Sequence, residues 1–345
     1  MAMARALVAR GHHVDYLGDP GRLEGRVVPL ELPFHAVPAV QFPRAGLIAK
    51  ARFAVGLLRS VLATRALLRR LGAEAVLGVG GYISAPAVLA GWSLGLPTAV
   101  HEANVTPGLA NRLCARVADL VLLTYAATGD KLPGRAPRER VGCPVNPVVA
   151  RGDARRAADR YGLRVGPPTV LVVGGSLGAQ TLNDLGVALA RLPGRAFQLV
   201  LVTGPKYEAA TRSALEGVSA GPGLAVVGYE DRMPDAYALA SLVVCRAGSS
   251  TLAELTVAGK PSVLVPSPNV TDNHQEGNAR GLEAVGAARV LLEKGLELGP
   301  AAASVAALAA DAAALDRMAA AAKGAAVEGT AERVAELMEG LLRGR

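Results

Sequence analysis

Residues 172–184 read VVGGSLGAQTLND, an apolar strand that runs into a glycine-rich turn and then into a helix. The turn fits two templates. As G-x-S-x-G it is the nucleophile elbow of an α/β-hydrolase, with Ser176 as the attacking group. As a glycine-rich turn between strand and helix it is a phosphate cradle, in which free backbone N–H groups and the positive helix end face an anion. The surrounding sequence has to decide between these two sites.

Apolar runs of strand length recur on both sides of this stretch, each followed by a helical pattern. They are HVDYLG, AEAVLGVG, PTAVHE, DLVLLTY, PTVLVVGG, FQLVLVTG, LAVVGY, SLVVCRAG and PSVLVPS. Buried parallel strands that alternate with helices predict an α/β doubly wound architecture. Prolines, glycines and charges interrupt the series near 147–166. We therefore expect two Rossmann-like domains facing a cleft: residues 1–148, a linker at 149–166, and 167–345 including the C-terminal helices.

The composition narrows the class of protein. At 345 residues, 51% of them hydrophobic, the chain can bury a large core. Aromatic residues make up only 3%, so stacking on single-stranded nucleic acid is poorly supported. The net charge of +8 favours an anionic partner, which leaves nucleic acid, a phosphorylated ligand or an anionic membrane surface as candidates, unless the arginines are merely dispersed over the surface. Cys114, Cys143 and Cys245 form no C-x-x-C pair, which argues against disulfides and zinc and favours a reduced, cytosolic protein.

Two stretches of the sequence bear on whether the protein spans or contacts a membrane. Residues 76–100 carry no charge, which satisfies the length rule for a membrane span, but their glycines and prolines favour a strand, a loop, a short helix and a second strand. Residues 44–70 mix apolar residues with arginine and lysine and contain no acid. That segment is either a helix on an anionic membrane or a sheet-covering helix with a solvated basic face. The membrane-facing candidates are Lys50, Arg52, Arg59, Arg65 and Arg69.

The beginning of the chain departs from the expected order. Residues 1–18 read as a helix followed by a strand, whereas a doubly wound domain begins with a central strand and a ligand-binding turn. We therefore expect the first strand and its glycine loop to be missing from this sequence, and the natural protein to begin upstream.

The hydrolase template requires an acid and a histidine after Ser176. His274 is the one histidine that follows, and Asp231, Asp235 or Asp272 are candidates to orient it, so the order is not excluded. A second strand, glycine turn and helix nevertheless occurs at 242–257. Its Gly248, Ser249, Ser250 and Thr251 suit a diphosphate, and Glu254, expected in the first turn, suits ribose hydroxyls. Two such turns in one domain favour a nucleotide diphosphate over an esterase elbow.

Metal chemistry is weakly supported by the sequence. It has no D-x-D pair and no histidine and cysteine cluster. Helix N-termini would then stabilise a departing diphosphate, so we expect no metal cofactor.

Six segments together resemble the MurG family. They are VGGYISAP (79–86), HEAN (101–104), VVGGSLGAQTLN (172–183), YEDRM (229–233), CRAGSSTLAEL (245–255) and PSPNVTDNHQEGNA (266–279). The resemblance covers nearly the whole chain in order. It implies a GT-B fold and the transfer of N-acetylglucosamine from UDP-N-acetylglucosamine to the membrane-bound undecaprenyl-diphosphoryl N-acetylmuramoyl-pentapeptide, lipid I, which gives lipid II for peptidoglycan.

The resemblance also implies roles for single residues. Positions that hold the UDP-sugar are Asn104, Ser176, Asn183, Glu230, Ser249, Ser250, Thr251, Leu252, Ala253, Glu254 and Gln275. Glu254 would contact the ribose, Gln275 the sugar, and the main chain of Glu230 the uracil. Tyr82, His101 and Glu102 match positions that the family needs for activity, although His101 alone fits a satisfied histidine at a strand end equally well.

Two departures from the family pattern stand out. The first glycine-rich loop, which ends in a histidine proposed as base or diphosphate contact, is missing. The family usually has an arginine after the interdomain N-P-V, whereas this chain reads GCPVNPVV from 142 to 149, with Asn146 in the motif and no arginine directly after it, and Arg151 is a candidate to replace that contact.

The expected mechanism is an inverting single displacement. A base takes a proton from the acceptor hydroxyl, UDP leaves onto the helix N-termini, and Glu102 is the best carboxylate left for the base. The implied partners are UDP-N-acetylglucosamine, polyprenyl-linked lipid I, an anionic membrane surface and cell-wall synthesis proteins, with no nucleic acid. The implied location is peripheral, at the cytoplasmic face of the cell membrane. The alternatives are a transferase that uses diacylglycerol, a nonhydrolysing UDP-sugar 2-epimerase, and a noncatalytic remnant that binds lipid or partner proteins.

Overall fold

The computed structural model describes residues 1–21, 24–38, 46–219 and 221–344, without the side chains of Arg26, Leu47, Ile48, Lys50 and Thr271. The chain divides into two compact units. One consists of Met1–Pro144 with Gly329–Arg345, and the other of Val145–Glu328. Each unit is described by itself.

The first unit alternates strands and helices. Its helices up to residue 144 are α1 (Ala2–Ala9), α2 (Glu24–Val27), α3 (Leu47–Leu71), α4 (Ser84–Ser93) and α5 (Leu109–Cys114), with 3-10 helices at Val28–Leu30 and Ala126–Lys131. Its strands are β1 (Tyr16–Gly18), β2 (Phe34–Ala36), β3 (Val76–Gly78), β4 (Thr98–Glu102), β5 (Leu120–Leu123) and β6 (Arg138–Arg140). β1 and β2 form a parallel pair, and β3, β4, β5 and β6 form a parallel sheet in that order.

The uncharged stretch at 76–100 forms β3, α4 and the start of β4, as its glycines and prolines predicted. Two glycines let α4 lie close to the sheet. A Cβ on Gly78 would lie 2.8 Å from Val88 Cγ2, and one on Gly91 would lie 2.7 Å from Val76 Cγ2. The apolar residues of this stretch therefore pack on the first unit's core.

The second unit has the same alternation over a longer sheet. Its helices are α6 (Ala154–Tyr161), α7 (Gln180–Ala190), α8 (Glu208–Ala214), α9 (Met233–Leu239), α10 (Ser249–Val257), α11 (His274–Ala284), α12 (Leu298–Ala310) and α13 (Ala312–Ala325), with 3-10 helices at Pro147–Arg151 and Thr271–Asn273. Its strands are β7 (Thr169–Val173), β8 (Gln198–Val202), β9 (Leu224–Val227), β10 (Leu242–Cys245), β11 (Ser262–Leu264) and β12 (Ala288–Val290).

The parallel sheet of the second unit runs β12-β11-β10-β7-β8-β9. Every residue of β7, β8 and β10 is buried, because apolar clusters cover both faces of the sheet. This explains why the strands read as continuous apolar runs without alternation. The predicted α/β doubly wound class is confirmed. The region expected to be a linker, 149–166, instead contains α6, which packs on α9 within the second unit.

The last helix, α14 (Thr330–Arg343), belongs to the first unit. Val334 and Met338 are buried against Ala99, Leu120 and Leu122 of the first unit's sheet. The sequence placed all of 167–345 in the second domain, so the expected boundary differs from the structure at this end. The reason is that α14 has a strongly one-sided apolar face, and nothing in the sequence says which sheet that face covers.

Within the described residues, no single helix is long and apolar enough to cross a membrane, and the stretches 298–310 and 312–343 pass such a test only together, across a bend. Much of that pair is buried in the protein cores.

Candidate active site

Two glycine turns of the second unit lie side by side. One follows β7 and leads into α7, and the other follows β10 and leads into α10. β7 and β10 are paired neighbours, with Val173 opposite Cys245 at their carboxyl ends. The chain goes from β7 to β8 and β9 on one side and from β10 to β11 and β12 on the other. The turns therefore flank the point where the strand order reverses, which is the usual ligand site of an open α/β sheet.

The turn after β7 can be made only with glycine at two positions. Gly175 and Gly178 have φ values of 85° and 74°, in the region that favours glycine. A Cβ on Gly178 would also lie 2.0 Å from the carbonyl oxygen of Thr203. The turn leads to Ala179, whose side chain cannot cap α7, so the first N–H groups of the helix remain available to an anion.

The hydrolase template is not supported by the side chains around this turn. Ser176 is exposed, and no described residue forms a hydrogen bond with its hydroxyl. Asp235, one of the acids that could orient a histidine, is buried and bound by Arg156 through two hydrogen bonds of 2.8 and 2.6 Å. That guanidinium holds the pKa of Asp235 well below its usual range.

The turn after β10 leads into α10 at Gly248, again without a side-chain cap. Ser249 is buried and accepts a hydrogen bond from Asn278 Nδ2 at 3.1 Å, whereas Ser250 is exposed. Leu252 is 1% exposed and belongs to the core, so only its main chain is available for a ligand. The run 249–254 thus mixes residues that build the turn with residues that face outward.

Glu254 lies in the second turn of α10, one turn later than expected. Its Oε2 accepts a hydrogen bond from the hydroxyl of the buried Tyr237 at 2.9 Å. Burial raises the pKa of this carboxyl, and the Tyr237 hydroxyl opposes that shift. No described residue donates to Oε1, so one oxygen remains to accept from a ligand hydroxyl. Because the residue is beyond the first turn, the helix dipole does not explain its presence.

Gln275 and Asn183 differ in which of their side-chain groups remain available to a ligand. Gln275 uses Oε1 to accept from the Ser267 N–H at 2.9 Å, so its amide N–H groups remain for a ligand. Asn183 is 4% exposed and donates to the Thr203 carbonyl at 3.0 Å. Asn183 therefore fastens α7 to the end of β8, which indicates a supporting role and not the direct donor contact that we expected.

Glu230 follows β9. Its side chain is buried, with Arg160, Tyr161 and the Arg232 N–H as donors. Only the main chain is left for a ligand, in agreement with the expected contact through backbone atoms.

The predicted residues of the first unit surround the end of β4. Glu102 is 3% exposed, and each of its oxygens accepts two hydrogen bonds. Oε1 accepts from the Asn104 N–H and Nδ2, and Oε2 accepts from the Gly108 N–H and Asn111 Nδ2, at 2.9–3.2 Å. These bonds shape the loop at 103–108. They argue against the general base expected for Glu102, because its lone pairs are already occupied.

His101 lies at the strand end and is 2% exposed. Its Nε2 is 2.8 Å from the Gly142 carbonyl, so this nitrogen carries the proton. Burial lowers the pKa of His101, although the Gly142 hydrogen bond and Glu102 oppose the shift. The ring is therefore a neutral, satisfied histidine, the second of the two interpretations given by the sequence. Tyr82 is half-buried and donates to Asp19 Oδ2 at 3.0 Å.

Several supporting residues were missed by sequence reasoning. Arg246 ion-pairs with Glu293 and donates to the Val265 carbonyl at 3.0 Å, and Thr181 of α7 donates to the same glutamate at 2.9 Å. These contacts join the carboxyl ends of β10, β11 and β12 to α7. The sequence did contain a signal for these residues, because polar residues that directly follow buried strands meet at one edge of a parallel sheet. Asp19 is another such residue.

The predicted membrane-facing residues on the basic helix α3 differ in their exposure to solvent. Arg52, Arg59 and Arg69 are exposed, and the side chain of Lys50 lies outside the described residues. Arg65 is half-buried and donates to the carbonyl and the hydroxyl of Ser93, both at 3.0 Å. Arg65 is therefore a structural residue, which corrects its assignment. Apolar residues are exposed on the same helix, with Val55 at 51%, Leu58 at 59% and Leu62 at 56%.

In the described part of the chain, no three or more histidine, cysteine, aspartate or glutamate side chains form a group suited to a metal ion. The expectation that no metal is needed stays a prediction.

Family models match both halves of the chain. The model for the glycosyltransferase family 28 N-terminal domain matches residues 1–123, and that for the C-terminal domain matches residues 169–334. The chain is 39% identical to the UDP-N-acetylglucosamine--N-acetylmuramyl-(pentapeptide) pyrophosphoryl-undecaprenol N-acetylglucosamine transferase of Halorhodospira halophila, over 100% of this chain and 94% of that protein. The protein of the same name from Ralstonia nicotianae is 40% identical, over 98% and 91%.

A solved structure agrees with these matches. The crystal structure of MurG from Acinetobacter baumannii superposes with a TM-score of 0.80 at 27% sequence identity, covering 98% of this chain and 94% of that one.

Proposed function

Because the chain belongs to glycosyltransferase family 28, we propose that it transfers N-acetylglucosamine from UDP-N-acetylglucosamine to undecaprenyl-diphospho-N-acetylmuramoyl-pentapeptide. The product is lipid II, the lipid-linked precursor of peptidoglycan, which connects the enzyme to cell-wall biogenesis and through it to cell shape and division. The enzyme is a UDP-sugar-dependent glycosyltransferase with the two-domain GT-B fold, and the names of its relatives specify both substrates.

One observation carries the donor assignment. Two uncapped helix N-termini, those of α7 and α10, lie at the strand-order reversal of the second unit. Their N–H groups and dipoles suit the diphosphate of UDP and the negative charge that grows on it as the sugar departs. Glu254 offers a free oxygen to the ribose, and Gln275 offers its amide to the sugar.

The reaction is an inverting single displacement. The acceptor hydroxyl attacks the anomeric carbon, the bond from that carbon to the diphosphate breaks, and a base takes the hydroxyl proton. Glu102 shapes the loop after β4 and His101 donates to the Gly142 carbonyl, so neither side chain is proposed as the base. Tyr82, held by Asp19, is the candidate of the first unit for contacting the acceptor. With two helix N-termini facing the diphosphate, we expect no requirement for a metal.

The proposed location is the cytoplasmic face of the cell membrane, where the enzyme is peripheral. A polyprenyl acceptor remains in the bilayer, so the enzyme must approach the surface. The exposed apolar residues of α3 and the neighbouring Arg52 and Arg59 support α3 as the docking element.

The test is UDP release from UDP-N-acetylglucosamine in the presence of a short-chain lipid I analogue. Parallel reactions contain diacylglycerol or no acceptor. We expect UDP release and a disaccharide product with the lipid I analogue only. Transfer to diacylglycerol would replace the acceptor assignment. Formation of the 2-epimer of the sugar without acceptor would indicate an epimerase. UDP binding without turnover of lipid I would support the donor site and contradict the assignment of lipid I as the acceptor.

A further inference from the structure

A buried carboxylate lies under the loop that joins β9 to α9. The side chain of Glu230 is only 2% exposed. Burying a charged carboxylate is costly unless charged or polar partners satisfy it. The groups around Glu230 are therefore part of the reason why this loop has its shape.

Three donors converge on this carboxylate. The guanidinium of Arg160 and the hydroxyl of Tyr161 both donate to it, and the Arg232 N–H donates to Oε1 at 2.6 Å. Arg160 also lies 3.5 Å from Asp235 Oδ2. Arg160 and Tyr161 are the last residues of α6, and Arg232 directly precedes α9. The carboxylate thus ties the loop to a helix that lies about seventy positions earlier in the chain.

The backbone of Glu230 is what the loop presents. Among the described residues, neither its N–H nor its C=O has a hydrogen-bond partner, although the residue as a whole is 6% exposed. Because the side chain is only 2% exposed, the exposed part of the residue is mainly its backbone, which is open to a ligand. An N–H beside a C=O fits uracil, whose O4 accepts and whose N3–H donates. Cytosine presents an amino donor and a ring-nitrogen acceptor at the same edge, so the same pair repels it.

We propose that the carboxylate of Glu230, held by Arg160 and Tyr161, is the positioning group that gives this enzyme its selectivity for uracil over cytosine. The inference rests on the proposed function and deepens it. The carboxylate does not contact the base. It holds the loop so that the backbone N–H and C=O of Glu230 meet the base edge together, and without it the Arg232 end of the loop is released.

The test compares the dissociation constants of UDP and CDP by titration calorimetry. The two ligands share ribose and diphosphate, so the ratio of their affinities reports on the base alone. For Glu230→Gln, we expect UDP affinity to fall about tenfold, the size expected when a charged hydrogen-bonding partner is lost, with CDP affinity unchanged. Tyr161→Phe should give a smaller change in the same direction. The Michaelis constant for UDP-N-acetylglucosamine should rise with kcat unchanged.

Glu283→Gln is the matched control. Glu283 also pairs with an arginine and accepts a backbone N–H, from Arg280 and Val290, but it lies at the far end of α11. Its variant should keep the wild-type ratio. If Glu230→Gln does not fold, Tyr161→Phe carries the comparison, because it keeps the aromatic ring in the core.

Other outcomes contradict the inference. An equal loss of UDP and CDP affinity, or a lower melting temperature with an unchanged ratio, would assign Glu230 to stability alone. If the wild-type protein binds UDP and CDP equally well, the proposed selectivity for uracil is wrong, whereas the proposed transferase activity is unaffected. A wild-type protein that binds neither nucleotide would overturn the proposed function itself.

Discussion

The buried carboxyl of Glu254 lowers the stability of the unliganded protein at neutral pH and is available to bind a nucleotide. Burial raises the pKa of its carboxyl above the ordinary value of 4.5. The native state therefore holds the proton more tightly than the unfolded chain, so the free energy of unfolding falls as the pH rises through 4.5 and stays lower at neutral pH. The ribose hydroxyls of a bound nucleotide would supply donors for the charged form and offset this cost.

Replacing Glu254 with glutamine should weaken UDP binding and stabilise the unliganded protein at neutral pH. Loss of the charged acceptor should reduce the binding free energy by about 1–3 kcal/mol. The melting temperature of the variant should exceed that of the wild type at neutral pH and approach it below pH 4.5. Titration calorimetry with UDP and thermal unfolding at both pH values measure the two effects.

Glu216→Gln is the control, because Glu216 is an exposed carboxylate of the same unit. It should change neither UDP affinity nor the pH dependence of unfolding. UDP affinity that is unaltered in Glu254→Gln would remove the ribose assignment.

Glu102 and His101 show what the sequence could not predict about single side chains. The segment HEAN was predicted to be part of a site, and it lies at the carboxyl end of a buried strand. Its residue types suggested proton transfer. The donors that occupy Glu102 come from the next nine residues, and the acceptor for His101 is a backbone carbonyl 41 positions away. Such partners depend on the fold, so residue type alone did not identify the role.

Helix α3 carries exposed apolar residues between arginines. Arg52, Val55, Arg59 and Leu62 follow the spacing of one helix face, and all four are exposed. An apolar stripe between arginines is typical of a helix that lies at the surface of an anionic membrane. Arg65 belongs to the same helix but faces Ser93 of α4.

Arg59→Gln should weaken binding to anionic vesicles more than Arg65→Gln. Each change removes one positive charge, and an arginine near an anionic surface contributes about 1 kcal/mol. Arg65 is already engaged by Ser93, so its variant is the matched control. Sedimentation with vesicles that contain anionic lipid measures the difference. Equal losses in the two variants would mean that total charge, and not α3, determines binding.

The strands illustrate what the sequence pattern can and cannot predict. β7, β8 and β10 were found because strands buried on both faces consist of continuous apolar residues. β6 was missed, since its residues are Arg138, Glu139 and Arg140 at the edge of a sheet, two of them exposed. β2 and β12 were also missed, because His35 and Arg289 interrupt their apolar residues.

For the chain as a whole, the fold class and the two α/β units could be predicted, but the final helix could not be placed. α14 returns to the first unit and covers the sheet there through Val334 and Met338. Polar contacts strengthen this packing, since Thr330 donates to the Val141 carbonyl at 2.7 Å and Arg10 ion-pairs with Glu339. The structural features proposed for the donor, namely the N-termini of α7 and α10 with Glu254 and Gln275, lie in the second unit, Val145–Glu328.

Met338→Ala should lower the unfolding transition of the first unit and leave UDP affinity intact. Met338 is 4% exposed, and truncating a buried methionine costs about 2–5 kcal/mol. Met318→Ala is the matched control, because Met318 is 7% exposed in the core of the second unit. Differential scanning calorimetry with and without UDP distinguishes them, since UDP should raise the second unit's transition. A loss of UDP binding in Met338→Ala would contradict this division.

The return of α14 also means that the polypeptide passes between the units twice, once at 144–145 and again at 328–329. A protease that cuts only at 144–145 leaves residues 1–144 joined to the rest of the protein by the packing of α14 and not by a peptide bond. Limited digestion at that crossing should therefore yield a nicked protein that migrates as one species and separates into residues 1–144 and 145–345 when a denaturant is added.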